Sequence, residues 1–422
     1  MEREAADMAT VDTADKVYAN AVSGGHYDLY QGGLCGKHDN VRAHWEDQIR
    51  GIMLRPHLQS LVDRKRREGS RLRIVDLGAG SGQAFELLTS WMRGEVSLRR
   101  NQAKVLPPDM IQAYVGVDLS RAMVAQGNIN YADRPEVTFR EGDFSKGFPL
   151  MDEEPFDLYF CSYGSFSHID DEAMAHLLSD IVQHAGPRAL VVGEWLGRHS
   201  IEWPCYWNRD GNGMLDYAMS WLPPNGWGAE GPEHFPMCYW LGDEIRSLVR
   251  RVRGRTDTRL QILELYDCSI LVGRHVDTGE YNPQLRPVRA AVNHLHEANI
   301  RTDLETLKVD ASGLPQCDGL TEYFESLEFC WNSLVDYCER RLEKRHHPVR
   351  LKHWRRFPSA LQMAIMTIDR IIDTIGWMRM GDSRANIIEP QLGYALRSLE
   401  LEFQEGKGRG HALIGIFRVR KN

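Results

Sequence analysis

IVDLGAGSGQAFELL, residues 74 to 88, runs from apolar residues through an acid into Gly78, Gly80 and Gly82, then into apolar positions at helical spacing. The pattern predicts a strand, a tight turn and a helix, because glycine without a Cβ lets the chain turn sharply and lets a ligand approach the backbone. A dinucleotide fingerprint needs G-x-G-x-x-G, the third small residue seating helix on strand. Here Gln83 holds that place, and the last glycine falls one residue early at Gly82. On its own the turn implies only a strand-to-helix junction. Downstream, GVDLS puts Asp118 at the carboxyl end of a second predicted strand, where a carboxylate can accept bonds from both hydroxyls of a ribose. EGDF puts Asp143 and Phe144 at the end of a third, suited to bonding an adenine amino group and covering its ring face. A single strand-end aspartate commonly caps a helix. Three such features in order on successive strands point to one shared ligand.

VDLGAGSG with Asp76, GVDLS with Asp118, EGDF with Asp143 and Phe144, and FDLYFCSYGSFSHI on the fourth strand and its following turn together resemble class I S-adenosylmethionine-dependent methyltransferases, over roughly residues 71 to 275. The resemblance implies a doubly wound, mostly parallel seven-stranded α/β sheet of the Rossmann-like kind. It also implies S-adenosylmethionine as cofactor, with S-adenosylhomocysteine as product. Gly78, Ala79 and Gly80 would follow the methionine end, with Asp76 near its amino group and Gly82 also in the implied cofactor-binding set. Asp118, Leu119, Asp143, Phe144, Ser162 and Tyr163 complete the implied cofactor-binding set. The SYGSFSHI turn is also similar to small-amine N-methyltransferases of the glycine N-methyltransferase kind, where an equivalent turn closes over the cofactor. Two departures stand out: a long gap between the first two motifs, and a helical stretch near the carboxyl end with no identified counterpart.

Outward from this core, alternating strands and helices predict βαβ units and a parallel sheet. Residues 1–70 read as a helical cap and residues 71–280 as the cofactor-binding core. Within that core, residues 195–240 form an insertion carrying six of the eleven tryptophans. Residues 281–390 read as a helical insertion and residues 391–422 as a hairpin completing the sheet, its turn marked by Gly406, Gly408 and Gly410. The 422 residues include 42% hydrophobic and 26% charged ones, with a net charge of -8, which argues against a dedicated nucleic-acid binder. The amino terminus lacks an apolar stretch behind a basic start, and no run of eighteen apolar residues occurs. The expectation is therefore a cytoplasmic protein with no membrane partner. Eight cysteines without a C-x-x-C spacing predict reduced thiols and no metal site.

Methyl transfer from a sulfonium is an in-line displacement, so the protein must align the reacting atoms in a dry pocket and supply a base where the acceptor arrives protonated. His168, in the turn after the fourth strand, is the first candidate base; its competing role is a cap on the helix starting at DDEAM. Glu194 at the end of the fifth strand is the second. The Trp-rich insertion lies over the carboxyl edge of the sheet, where open α/β proteins bind ligands, so Trp195, His199, Trp203, Trp207 and His234 are substrate candidates. Aromatic faces there would suit a planar or cationic small molecule, or form a small core of their own. Tyr27, Tyr30 and Trp45 of the cap would close the other side. Residues 340–356, RRLEKRHHPVRLKHWRR, carry eight Lys or Arg and three His. They form either a solvated helix face or a dock for a protein, a carrier-bound intermediate or RNA. The leading expectation is N- or O-methylation of a small molecule. The alternatives are a macromolecular acceptor, or a protein that binds the cofactor without turnover.

Overall fold

The computed structural model describes residues 18–25, 27, 39–93, 103–219, 234–343, 354–375 and 381–421. Tyr30, Trp221, Trp227 and residues 344–353 of the basic run lie outside them. Five strands follow the motif order: β1 (Leu72–Leu77), β2 (Ile111–Asp118), β3 (Val137–Glu141), β4 (Leu158–Phe160) and β5 (Leu190–Gly197). They pair in parallel in the order β3-β2-β1-β4-β5. Their apolar runs are buried on both faces because helices cover both, as an all-parallel arrangement requires. Ile74, Tyr114 and Leu158 point into one core, while Val75, Val115 and Tyr159 point into the other. The chain leaves β1 toward β2 and β3, then returns to place β4 on its opposite side. Such a reversal opens a crevice at the carboxyl ends of the two diverging strands.

The second core is completed by α4 (Asp171–His184) and α5 (Gly242–Thr256), the first by α1 (Asp47–Arg67) and α2 (Gln83–Ser90). Between α2 and α4 lies α3 (Arg121–Asn130). β6 (Met214–Ala218) and β7 (His234–Trp240) form an antiparallel ribbon that touches β5 only at Leu196 and Gly197. β8 (Arg259–Cys268) and β9 (Ala412–Arg420) finish the sheet, β9 running antiparallel between β5 and β8. The main layer thus has seven strands, β3-β2-β1-β4-β5-β9-β8, and the ribbon brings the sheet to nine.

Between β8 and β9 the chain builds α6 (Arg289–His294), α7 (Thr321–Glu343), α8 (Ser359–Thr374) and α9 (Glu389–Phe403). Their apolar stripes join α1 and the sheet in one continuous core, so this block shares its interior with the parallel sheet. The hairpin expected over residues 391–422 does not form. Its first arm is α9, and β9 takes β8 as partner instead. The alternation in LRSLELEF conceals a helical stripe that begins upstream, at Leu392, Ala395, Leu396 and Leu399, all buried. Among the described residues of the tryptophan-rich insertion the tryptophans form a core rather than an open aromatic face. Trp195, Trp203, Trp207 and Trp240 are buried; the indole N–H of Trp203 donates to Gly197 O and that of Trp207 to Ser200 O.

Candidate functional site

The glycine turn works because three residues take left-handed backbone angles: Gly78 at φ 69°, Gly80 at 54° and Gly82 at 101°. A Cβ at Gly78 would stand 2.5 Å from the Ser165 Cβ, so the turn after β4 is seated directly on the bare backbone. The carboxyl ends of β1, β2 and β4 then face a common cleft enclosing about 1150 Å³, its mouth included. Of the residues read from the sequence, Gly78, Ala79, Gly80, Asp118, Leu119, Asp143, Phe144, Ser162 and Tyr163 line it, as do Tyr27 and His168.

Asp118 accepts from Gly80 N at 2.8 Å and from Ser120 N at 2.9 Å, so it ties the β2 end to the glycine turn while facing the cleft. Asp143 accepts from Ser145 N and pairs with Lys146 at 2.9 Å, capping a short 3-10 turn, and Phe144 lies over the same space. Burial would raise the Asp143 carboxyl, but the bonds from Ser145 and Lys146 hold it below its ordinary value. Both aspartates therefore cap locally and face the cleft at once. Asp76 and Gly82 sit outside the lining. Gly82 starts α2 under the Tyr131 and Phe139 rings. Asp76 is buried beneath the turn, its Oδ2 accepting from the Tyr114 hydroxyl at 2.6 Å and its Oδ1 without a partner.

His168 is not a helix cap. Asp170 does that work, accepting from Glu172 N and Ala173 N. The imidazole instead stacks on Phe235, with centroids 5.5 Å apart, and its Nε2 meets the Tyr18 hydroxyl at 3.1 Å. Tyr18, on the helical turn at residues 18–23, and Phe235 and Pro236 of β7 were missed by sequence reasoning. Each comes from a segment far from the motifs, and only the ribbon's return over the sheet brings Phe235 there. Burial raises the Tyr18 phenol well above its ordinary value, keeping it a neutral hydrogen-bonding group.

The other candidates go elsewhere. Glu194 does not reach the cleft; it is 3% exposed and binds Arg50 through both oxygens, at 2.7 and 2.9 Å. Trp45 donates to Glu400 at 2.7 Å inside the core, and Trp195 packs against Phe166 and Trp240. His199 is held by its backbone to Gly408 O, and burial lowers its imidazole to about 4. His234 pairs with Asp216 at the ribbon surface. Among the described residues no cluster of three or more His, Cys, Asp or Glu could hold a metal, and no helix is long and apolar enough to cross a membrane.

Burial pushes the Asp76 carboxyl up to about 7 against the opposing pull of the Tyr114 bond, and Glu400 is likewise raised by burial to about 7. A carboxyl with a raised folded-state value keeps its proton more tightly when folded. Its contribution to stability is thus whole below the unfolded value near 4 and is lost as pH rises to about 7. The unliganded protein should therefore lose stability from these two groups between about pH 4 and 7 (about 4 kcal/mol at most from Asp76). Thermal melting across that range should show a shallower fall in Asp76→Asn than in the wild type; equal slopes would reject the assignment.

A model of the methyltransferase domain family matches residues 102–188, from before β2 to the turn preceding β5. No curated protein sequence matches the chain. Among solved structures, DhpI in complex with SAH is 12% identical, with 60% of this chain and 91% of that one covered and a TM-score of 0.34. CalS10, an amino pentose methyltransferase from Micromonospora echinaspora, is 16% identical, with 58% and 97% covered and a TM-score of 0.31. A S-adenosylmethionine-dependent methyltransferase from Clostridium acetobutylicum is 14% identical, with 52% and 89% covered and a TM-score of 0.32.

Proposed function

We propose that this chain, which matches a methyltransferase domain family over residues 102–188, is a class I S-adenosylmethionine-dependent methyltransferase and methylates a small-molecule acceptor at nitrogen or oxygen. The observation that carries this reading is the single cleft onto which Gly78, Ala79, Gly80, Asp118, Asp143 and Phe144 all open. The residues fit the cofactor. The bare backbone at Gly78 and Gly80 leaves room for an amino-acid tail, and the unpartnered Oδ1 of Asp76 lies at the end of β1 below it. Asp118 would bind the ribose, and Asp143 with Phe144 the adenine. When bound, the cofactor supplies an electrophilic methyl group on a sulfonium. The chain's part is to hold and to dry: Tyr18, Tyr27 and Phe235 close over the cleft and exclude water.

His168 is the residue placed to take a proton from the acceptor. Its ring is fixed by Phe235 on one face and by the Tyr18 hydroxyl at Nε2, which sets its orientation without carrying charge. A positioned general base contributes about 100- to 10,000-fold to rate. In a transfer assay with labelled S-adenosylmethionine and a metabolite extract, His168→Ala should lose about 100-fold or more in turnover. Its affinity for S-adenosylhomocysteine should change little. An unaltered rate, or a loss confined to cofactor affinity, would remove it from the chemistry. No transfer by the wild type to any extract fraction would reject the enzymatic reading itself.

A further inference from the structure

Beside the cofactor cleft, on the other side of Tyr163 and Gln83, lies a second cleft of about 1320 Å³ between α1, α2 and α9. One face of α1 supplies Gln48, Gly51, Ile52 and Arg55, spaced so that they share a side of the helix. Its opposite wall includes Trp91 and Met92, just past the end of α2. Gly51 allows this approach, since a Cβ there would come within 2.8 Å of the Trp91 indole nitrogen. Ile52 and Met92 are exposed, so the cleft has an apolar wall open to solvent. Exposed apolar surface with a few convergent polar groups marks a binding site more often than a bare surface.

Its lining carries three carboxylates, Asp39, Asp47 and Glu86, and three arginines, Arg42, Arg55 and Arg397. Asp39 is bound by Arg289, Asp47 receives Arg50 and the Tyr163 hydroxyl, and burial raises the Glu86 carboxyl against the weaker pull of Arg42. Two arginines remain. Arg55 has no hydrogen-bond or ion-pair partner among the described residues. Among the described residues Arg397 donates only to neutral acceptors, His44 O at 2.7 Å and Gln48 Oε1, and its buried Nε meets no partner there. Burial lowers the Arg397 guanidinium below its ordinary value, as expected of a cation lacking a counter-ion. Between the clefts stands Tyr163, with φ at 56° although it is not glycine. Such a conformation persists only where surroundings impose it. Here Asp47 takes its hydroxyl, and the Arg42 and Arg50 guanidiniums lie 4.2 and 4.6 Å from its ring centre.

We infer that this second cleft binds the methyl acceptor, and that the acceptor is an organic anion: an apolar body against Ile52 and Trp91, with a carboxylate or phosphate taken by Arg55 and Arg397. The inference rests on the methyltransferase reading above, because Tyr163 and Gln83 belong to both clefts and bring such a ligand to the edge of the cofactor site. It departs from the cationic or merely aromatic acceptor that the tryptophans suggested.

The test is calorimetry on full-length protein saturated with S-adenosylhomocysteine, using 1-naphthoate, 1-naphthyl phosphate, 1-naphthylmethanol and 1-naphthylmethylammonium as probes. At least one anion should bind, and more tightly than the alcohol or the ammonium by about tenfold or more, with the better of the two anions identifying the headgroup. Arg55→Ala removes a side chain with no bond to any of the described residues and so should fold normally. It should weaken the anion by about ten- to a hundredfold, with Arg55→Lys intermediate. The proposal falls if the alcohol or ammonium binds as well as the anions, if no probe binds, or if Arg55→Ala leaves anion affinity unchanged. The initial titration with S-adenosylhomocysteine separates the two claims. Failure there rejects the cofactor site, whereas failure with the probes rejects only the acceptor.

Discussion

Asp118→Ala should lower affinity for S-adenosylhomocysteine by about 30- to 1,000-fold, corresponding to ~2–4 kcal/mol for charge-assisted bonds to two ribose hydroxyls. The side chain stands at the meeting of β2 with the glycine turn, bonded to Gly80 N and Ser120 N, and faces the cleft. Its loss also removes a local cap, a cost of about 1 kcal/mol that should leave the fold intact. Isothermal titration reads the first effect and thermal melting the second. Unchanged affinity in a folded variant would mean that the ribose lies elsewhere. A variant that failed to fold would be replaced by Asp118→Asn, which keeps an acceptor for the backbone bonds and lacks the charge.

Arg289→Met should be the most destabilising single change, by about 3–5 kcal/mol, because it strands buried carboxylates without their counter-ion. Arg289 is 1% exposed and donates to both oxygens of Asp39, to Glu46 and to Val272 O. Burial alone would raise the Asp39 and Glu46 carboxyls, yet Arg289 and Arg274 hold both below their ordinary values. Arg50 and Arg274 each stand 3.9 Å from Glu46, against 2.8 Å for Arg289. Against a total stability of about 5–15 kcal/mol, a loss of that size lowers the denaturation midpoint sharply. Adding Asp39→Asn should return part of the loss by removing one stranded charge. A loss below about 1 kcal/mol would show the network to be worth little. The same residue joins the cap to the helical block, so its loss should also loosen the wall of the second cleft, which Asp39 lines.

What was legible in the sequence follows from where each signal resides. β1 with its glycine turn, the end of β2 and the end of β3 are each carried by one short unbroken stretch of sequence. Gly78, Asp118 and Phe144 could therefore be read directly. Tyr18, Phe235 and Arg397 reach their clefts through the cap, the β6–β7 ribbon and α9, so only tertiary packing places them. Glu194 misled for a related reason. A strand-end carboxylate looks the same in sequence whether it faces a ligand or an arginine from a helix more than a hundred residues away, and Arg50 is that arginine. Of the two roles open for the tryptophans, the described ones take the core, since aromatic residues that gather in an irregular insertion are needed to bury it before they can serve a ligand. In α9 the window chosen for periodicity decided the error: alternation over eight residues was real, but the buried leucine stripe began earlier.

The central claim is that the tips of β1, β2 and β3 jointly hold one adenosyl ligand, and a crystal structure of the protein soaked with S-adenosylhomocysteine tests it most directly. The account predicts ribose hydroxyls bonded to Asp118, adenine against Phe144 and the amino-acid tail over Gly78 and Gly80. Ligand density anywhere else, or a cleft still closed by Tyr18 and Phe235 with no ligand inside, would contradict it.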